Sequence, residues 1–191
     1  MKAIRCTVLI CLVTANFHLF AQEDSRPTVA ILDFEGQGIG LQEVQTLAER
    51  MRTEIGNTNA VRLIERKAIE SIMAEQGLAQ SGCVSDECAA EVGQLLGVQF
   101  MINGLIGKLG DSYTIDVKMF SVETGATERS KNVTHEGGIE GLLVEMQILA
   151  WAIVGLEAPP ALKLKRAGDT EKQTVAVPVS YTHLTLPPNR E

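Results

Sequence analysis

Apolar and polar positions recur with two different periods along this chain of 191 residues, and the periods predict its elements. The mostly apolar run TVAILDF (28–34) predicts a strand that is buried on both faces. The run AVRLIE (60–65) predicts a second strand, and RKAIESIMAEQG (66–77) predicts a helix that stops at its glycine. Between the two strands, apolar side chains return at helical spacing and predict a helix with one buried face: Leu41, Val44, Leu47, Ala48, Met51 and Ile55.

Extended segments dominate the middle of the chain. After the loop SGCVSDEC (81–88), in which Ser85 is a good N-cap, a helix is predicted to run to Leu96. Two extended runs then meet at KLGD (108–111), which predicts a hairpin turn. A third strand over 128–134 and a helix over 139–156 complete the order β-α-β-α-α-β-β-β-α. This order predicts an α/β (α+β) fold, with a mixed β-sheet packed with helices.

The amino terminus, residues 1–22, has the layout of a secretory signal peptide. Two basic residues, Lys2 and Arg5, precede an apolar run that ends at Phe20. That run is shorter than the ~20 residues that span a bilayer, and polar residues interrupt it. Neither Cys6 nor Cys11 follows a clear lipobox, so lipid anchoring stays open without support. The prediction is export to the periplasm, the space bounded by the outer membrane.

The carboxyl terminus, VSYTHLTLPPNRE (179–191), resembles a translated transposon-end sequencing adapter rather than folded protein. We interpret it as an artefact, and we expect the gene to continue past Pro178; a genuine β-prone tail is the alternative. The interpretation divides the remaining chain into an α/β domain over 23–157 and a polar linker over 158–178. The domain is long enough for a single core.

Composition narrows the class of function. The net charge of −7 and the low aromatic content of 4% argue against binding to nucleic acid or to an anionic membrane surface. Between the signal and the tail, the chain has two cysteines and one histidine, His135. These three residues do not complete a four-ligand zinc site without a carboxylate, and any nucleophile–histidine set would depend on His135. We therefore predict no catalytic site, no metal and no cofactor.

The glycine-rich loop DFEGQGIG (33–40) raises the question of a dinucleotide site. Its glycines follow the spacing G-x-G-x-G instead of the G-x-G-x-x-G of dinucleotide-binding enzymes. The neighbouring carboxylates of Asp33 and Glu35 would also repel a pyrophosphate. We therefore predict a strand-to-helix turn and no nucleotide. As an acid/base pair these two carboxylates are not expected to work, because we place them on opposite sides of the strand end.

Cys83 and Cys88 are predicted to form a disulfide, because export places them in an oxidising compartment. Five residues apart, at a loop and a helix start, they can approach the ~5.5 Å Cα separation of a bridge. Two small buried apolar residues are one alternative. A thiol-based redox or other enzymatic protein is the other. The C-x4-C spacing differs from that of thiol oxidoreductases, although a thiolate is stabilised in the first turn of a helix.

The last predicted helix is apolar on two sides. One stripe is expected to pack on the sheet: Ile139, Leu142, Leu143, Met146, Ala150 and Ile153. The second set, Val144, Ile148 and Trp151, is predicted to be a docking surface for another subunit or for the missing carboxyl-terminal region. Coverage by another part of the same domain is the alternative. Glu140 and Glu145 argue against a membrane span.

Five short motifs together resemble the CsgG-type family of exported proteins, which includes the curli secretion component. They are LDF (32–34), ER (65–66), EQG (75–77), LLGV (95–98) and VETG (122–125), within about residues 28–134. Related folds occur in penicillin-binding-protein activator lipoproteins and in the amino-terminal domain of TolB. The resemblance implies a non-catalytic module of the periplasm or envelope that assembles with other envelope proteins or with its own subunits. The single hairpin turns at once, so we expect neither a pore nor curli export.

Overall fold

The computed structural model describes residues 24–77 and 86–175, the last eight of them by their backbone alone. The predicted signal peptide (1–22), Cys83 and the tail (179–191) lie outside the described residues. The strands are β1 (Thr28–Ile31), β2 (Glu35–Gln37), β3 (Arg62–Leu63), β4 (Phe100–Leu109), β5 (Ser112–Ser121) and β6 (Thr127–Glu136). The helices are α1 (Leu41–Thr58), α2 (Arg66–Glu75), α3 (Asp86–Leu96), α4 (Leu142–Ile153) and α5 (Pro160–Val175), with a 3-10 turn over Ile139–Gly141.

One mixed sheet contains all six of these strands: five follow the order β3-β1-β4-β5-β6, and β2 pairs with β4 outside that order. β1 is parallel to both β3 and β4, whereas β4, β5 and β6 form an antiparallel meander. The predicted first strand is shorter than expected: β1 ends at Ile31, and the chain rejoins β4 as β2, where Glu35 lies opposite Leu105. The predicted α/β class, with helices packed on a mixed sheet, is confirmed.

β1 is buried on both faces, as its continuous apolar run predicts. Val29 and Ile31 point into the larger core, which β1 shares with α1, α4 and the inner face of β5. Ala30 and Leu32 point into a smaller core with α2 and α3. The sheet therefore lies between two helical layers, because alternate side chains of a strand point to opposite faces.

The hairpin between β4 and β5 turns as the KLGD sequence predicts. Leu109 pairs with Ser112, so that only Gly110 and Asp111 form the loop. Gly110 has a φ of 61°, a left-handed conformation that glycine adopts without a steric cost. Along β5, Tyr113 and Ile115 are buried while Thr114 and Asp116 are exposed, so the predicted period of two is also observed.

The segment expected to be a polar linker contains a helix. α5 begins at Pro160, a residue whose fixed φ suits the first helical position. Leu162 is 7% exposed because α5 packs against α4. The polar residues of this tract are mostly good helix formers, and Leu162 supplies a buried apolar contact of the docked helix, whereas Leu164 is exposed.

Candidate interaction surface

The predicted docking residues lie on the outward side of α4. Val144, Ile148 and Trp151 are all half-buried, and they lie on the side of α4 away from the residues that face the sheet. Leu142, Met146 and Ile153 of the first stripe are fully buried, as predicted. Leu143 is 38% exposed, so its assignment to the sheet-facing stripe is wrong. Successive helical residues are about 100° apart, which carries Leu143 from the core towards solvent.

Trp151 is also tied to its own domain. Its indole Nε1 donates a hydrogen bond to Glu54 Oε1 of α1 at 2.8 Å, and Gln147 Nε2 donates to Glu54 Oε2 at 3.0 Å. Burial alone would raise the pKa of Glu54, but the hydrogen bonds from Trp151 and Gln147, together with the charge of Arg50, outweigh it and lower that pKa. The polar edge of the indole therefore has an internal acceptor, and its remaining exposed surface is apolar.

A buried carboxylate lies one turn from Ile148 on the same helix. Glu145 accepts a hydrogen bond from Arg166 Nε of α5 at 2.8 Å, and His135 Nδ1 of β6 lies 3.9 Å from the same oxygen. Burial raises the pKa of Glu145, and the nearby charges of Arg166 and His135 oppose that rise. Sequence reasoning considered Glu145 only as an argument against a membrane span and missed Arg166. The spacing of Leu162 and Arg166 on one face of α5 was the available signal.

The opposite face of the sheet carries a polar cleft of about 380 Å³. Asp86, at the start of α3, accepts hydrogen bonds from Asn103 Nδ2 at 3.1 Å and from Lys118 Nζ at 3.2 Å. The hydrogen bond from Asn103 and the one from Lys118 lower the pKa of Asp86. Its oxygens are therefore occupied by neighbouring residues of the fold.

Asp33 and Glu35 both border this cleft, so the prediction that they lie on opposite sides is wrong. Residues two apart on an extended chain share a side, which is the reason for the error. Asp33 pairs with Arg66 at 3.0 Å.

Within residues 24–77 and 86–175, no three His, Cys, Asp or Glu side chains are grouped so that they could hold a metal ion.

The glycines of the 33–40 loop have structural roles. A Cβ atom on Gly36 would lie 2.6 Å from Val44 Cγ2, so the loop packs directly on α1. Gly38 has a φ of 70°, and a Cβ there would lie 3.0 Å from the carbonyl oxygen of Lys108. The N–H of Gly40 donates to Glu43 Oε2 at 2.9 Å, which caps α1 with a carboxylate. These contacts account for a tight strand-to-helix turn.

Cys88 occupies the first turn of α3 and is half-buried, while its predicted partner Cys83 lies outside the described residues. Among the helices that the structure describes, none combines the length and apolar character needed to cross a bilayer.

Comparison with solved structures shows where this fold recurs. The chain resembles the LpoB C-terminal domain from Escherichia coli with a TM-score of 0.51 at 13% identity, covering 64% of this chain and 93% of that one. It resembles lipoprotein GNA1162 from Neisseria meningitidis with a TM-score of 0.52 at 8% identity, covering 78% of this chain and 97% of that one. Identities this low establish a shared fold. No curated protein is a significant match to the sequence.

The model of one protein family matches residues 25–134, which is more than half of the chain. The family is described as the curli production assembly/transport component CsgG. The matched region runs from β1 into β6 and thus includes almost the whole sheet. The predicted resemblance is confirmed: this chain belongs to the CsgG family.

Proposed function

We propose that this protein is an exported module of the cell envelope that assembles with other envelope proteins or with its own subunits, without catalysing a reaction. The observation that carries the proposal is the CsgG family match over residues 25–134. The family description names an assembly or transport component, and the fold is shared with a domain of LpoB and with a lipoprotein. Export follows from the signal-like layout of residues 1–22.

Contact with another subunit takes place through the outer side of α4. Val144, Ile148 and Trp151 present apolar surface there, and Leu143, which borders a cleft with α1, extends it on that side. Tryptophan is enriched at protein contacts because it buries a large area with few torsions. The indole also needs no polar partner from the second subunit, since Glu54 already accepts its N–H. We take the second subunit to be another copy of this chain.

The hydrogen bonding of three carboxylates supports a binding role rather than catalysis. Asp86, Glu54 and Glu145 each accept hydrogen bonds from neighbouring residues. A catalytic acid or base needs access to a substrate proton at hydrogen-bond distance. Cys83 and Cys88 belong to the proposal as a structural disulfide that fixes the entry into α3. Cys88 is half-buried at the start of that helix and would supply one end of the bridge.

The test is the substitution Ile148→Asp in the full chain, with association measured by sedimentation velocity over a range of protein concentrations. A carboxylate at a buried contact is desolvated without a partner, so we expect at least tenfold weaker association. Leu109→Asp is the matched control, because Leu109 is 84% exposed at the hairpin tip and does not belong to the α4 surface. Thermal unfolding of both variants should match the parent.

Equal association of Ile148→Asp and the parent chain would refute the α4 surface. A parent chain that stays monomeric at every concentration would refute self-association. Rapid thiol exchange by Cys88, with a thiol pKa well below the ordinary value, would favour the redox alternative instead.

A further inference from the structure

α5 is held on the domain by a small set of contacts. It packs on α4 through Leu162, which is 7% exposed, and the chain enters it through Ala158, also 7% exposed. One turn after Leu162, Arg166 Nε lies 2.8 Å from Glu145 Oε1. The side chain of Glu145 is 5% exposed and that of Arg166 is 47% exposed. The ion pair therefore joins the buried carboxylate of Glu145 to the half-exposed guanidinium of Arg166.

Glu145 depends on α5 for its main counter-charge. A buried carboxylate that loses its partner is left with an uncompensated desolvation cost. From β6, His135 faces Glu145, but its Nδ1 is 3.9 Å away, beyond hydrogen-bond distance. From α1, Glu54 is an anion whose oxygens accept from Gln147 and Trp151. Among the described residues, Arg166 thus makes the short charged contact.

The segment between α4 and α5 allows α5 to detach from α4 as an intact helix. α4 ends at Ile153, and Gly155, which follows it, has a φ of 86° that breaks the helical path. Pro159 precedes α5, and Pro160 is its first residue. α5 makes its main contacts with α4 and not with the sheet. The family match ends at residue 134, so neither helix lies in the matched region.

We propose that α5 is a strap closed over α4 by the Arg166–Glu145 ion pair, and that its seat on α4 is a groove for a basic amphipathic helix carrying Leu and Arg one turn apart. In the structure, α5 itself occupies that groove. Opening the strap exposes Glu145 to water and frees the flank of α4 beside Ile148. The inference concerns α5 alone and stands whether or not Ile148 contacts another subunit.

The first experiment is hydrogen exchange of α4 and α5 amides in the full chain, comparing Arg166→Met with the parent. Removing the cation leaves Glu145 buried and unpaired, so opening should become at least tenfold more frequent. The double variant Glu145→Gln, Arg166→Met should return exchange to within about twofold of the parent, because the neutral amide carries no charge to desolvate.

Lys163→Met is the matched control. Lys163 of α5 pairs with Glu157, which precedes the helix, but both side chains are more than half exposed, so this ion pair contributes little. We expect unchanged exchange in this variant. Unchanged exchange in Arg166→Met, or a double variant that opens as often as the single one, would overturn the strap.

The second experiment tests the groove with a labelled synthetic peptide of residues 157–175. It should bind the Leu162→Asp and Arg166→Met chains, whose straps open more often, and should bind the parent at least tenfold more weakly. A peptide with Met in place of Arg166 should lose at least tenfold in affinity. Failure of the native peptide to bind either open variant, or equal binding of the two peptides, would overturn the groove.

Discussion

Glu54→Leu tests whether α1 and α4 are joined by a polar contact as well as by apolar packing. The carboxylate of Glu54 accepts from Trp151 Nε1 at 2.8 Å and from Gln147 Nε2 at 3.0 Å. Leucine has a similar size and accepts neither hydrogen bond. The substitution therefore leaves two donors without acceptors at the interface of two helices, while adding apolar surface.

The expected loss in the free energy of unfolding depends on how well water can replace Glu54 at the two donors. A hydrogen bond to an ionised group contributes about 1.5–3 kcal/mol. Gln147 is buried, so its amide would be orphaned, whereas Trp151 is half-buried and its N–H can reach water. Allowing for partial rehydration and for the apolar gain of leucine, we expect the free energy of unfolding to fall by about 2–4 kcal/mol. For a domain of this size, a 3 kcal/mol loss lowers Tm by roughly 6–12 °C.

Thermal unfolding followed by circular dichroism measures the loss, and fluorescence of Trp151, the only tryptophan of the chain, reports the site itself. We expect a red-shifted emission in the folded variant, because the indole N–H turns to water. Glu70→Leu is the matched control, since Glu70 pairs with Arg66 on an exposed face of α2 at 2.8 Å. That change should cost about 0.5 kcal/mol or less. Equal Tm values for Glu54→Leu and Glu70→Leu would refute the reasoning.

Three further predictions concern other parts of the fold. Gly93→Ala should cost about 1–3 kcal/mol in urea unfolding, because a Cβ there would lie 2.6 Å from Val122 Cγ2; a neutral result would contradict the close approach of α3. Glu145 has a raised pKa in the folded state, so its contribution to stability is full below its unfolded pKa and is lost as the pH rises through the folded one. Glu145→Gln should flatten that fall in Tm as the pH rises from the unfolded pKa of a glutamate through the raised folded one, and parallel pH curves would disprove it. Mass spectrometry of exported protein alkylated without reduction should find no label on Cys83 or Cys88, and two labelled thiols would exclude the disulfide.

Local sequence determined most of the secondary structure and the two-sided burial of β1. The apolar run over 28–34 required cover on both faces, and the two cores provide it. KLGD specified its hairpin because Gly110 adopts a left-handed conformation at no steric cost. Five scattered motifs were enough to indicate the family, since they mark strand ends and helix ends whose spacing the sheet imposes.

Tertiary structure alone decided which polar residues meet. Glu54 and Trp151, which share a hydrogen bond, are 97 residues apart in the sequence. Glu145 of α4 pairs with Arg166 of α5, and Arg166 belongs to a segment that was expected to be a linker. Periodicity shows that a helix has an apolar face but not which neighbour covers it, so the burial of Glu145 was not predicted. The error on Leu143 has the same origin. Pattern is a property of one element, whereas the burial of a charge and the choice of its partner depend on how several elements pack together.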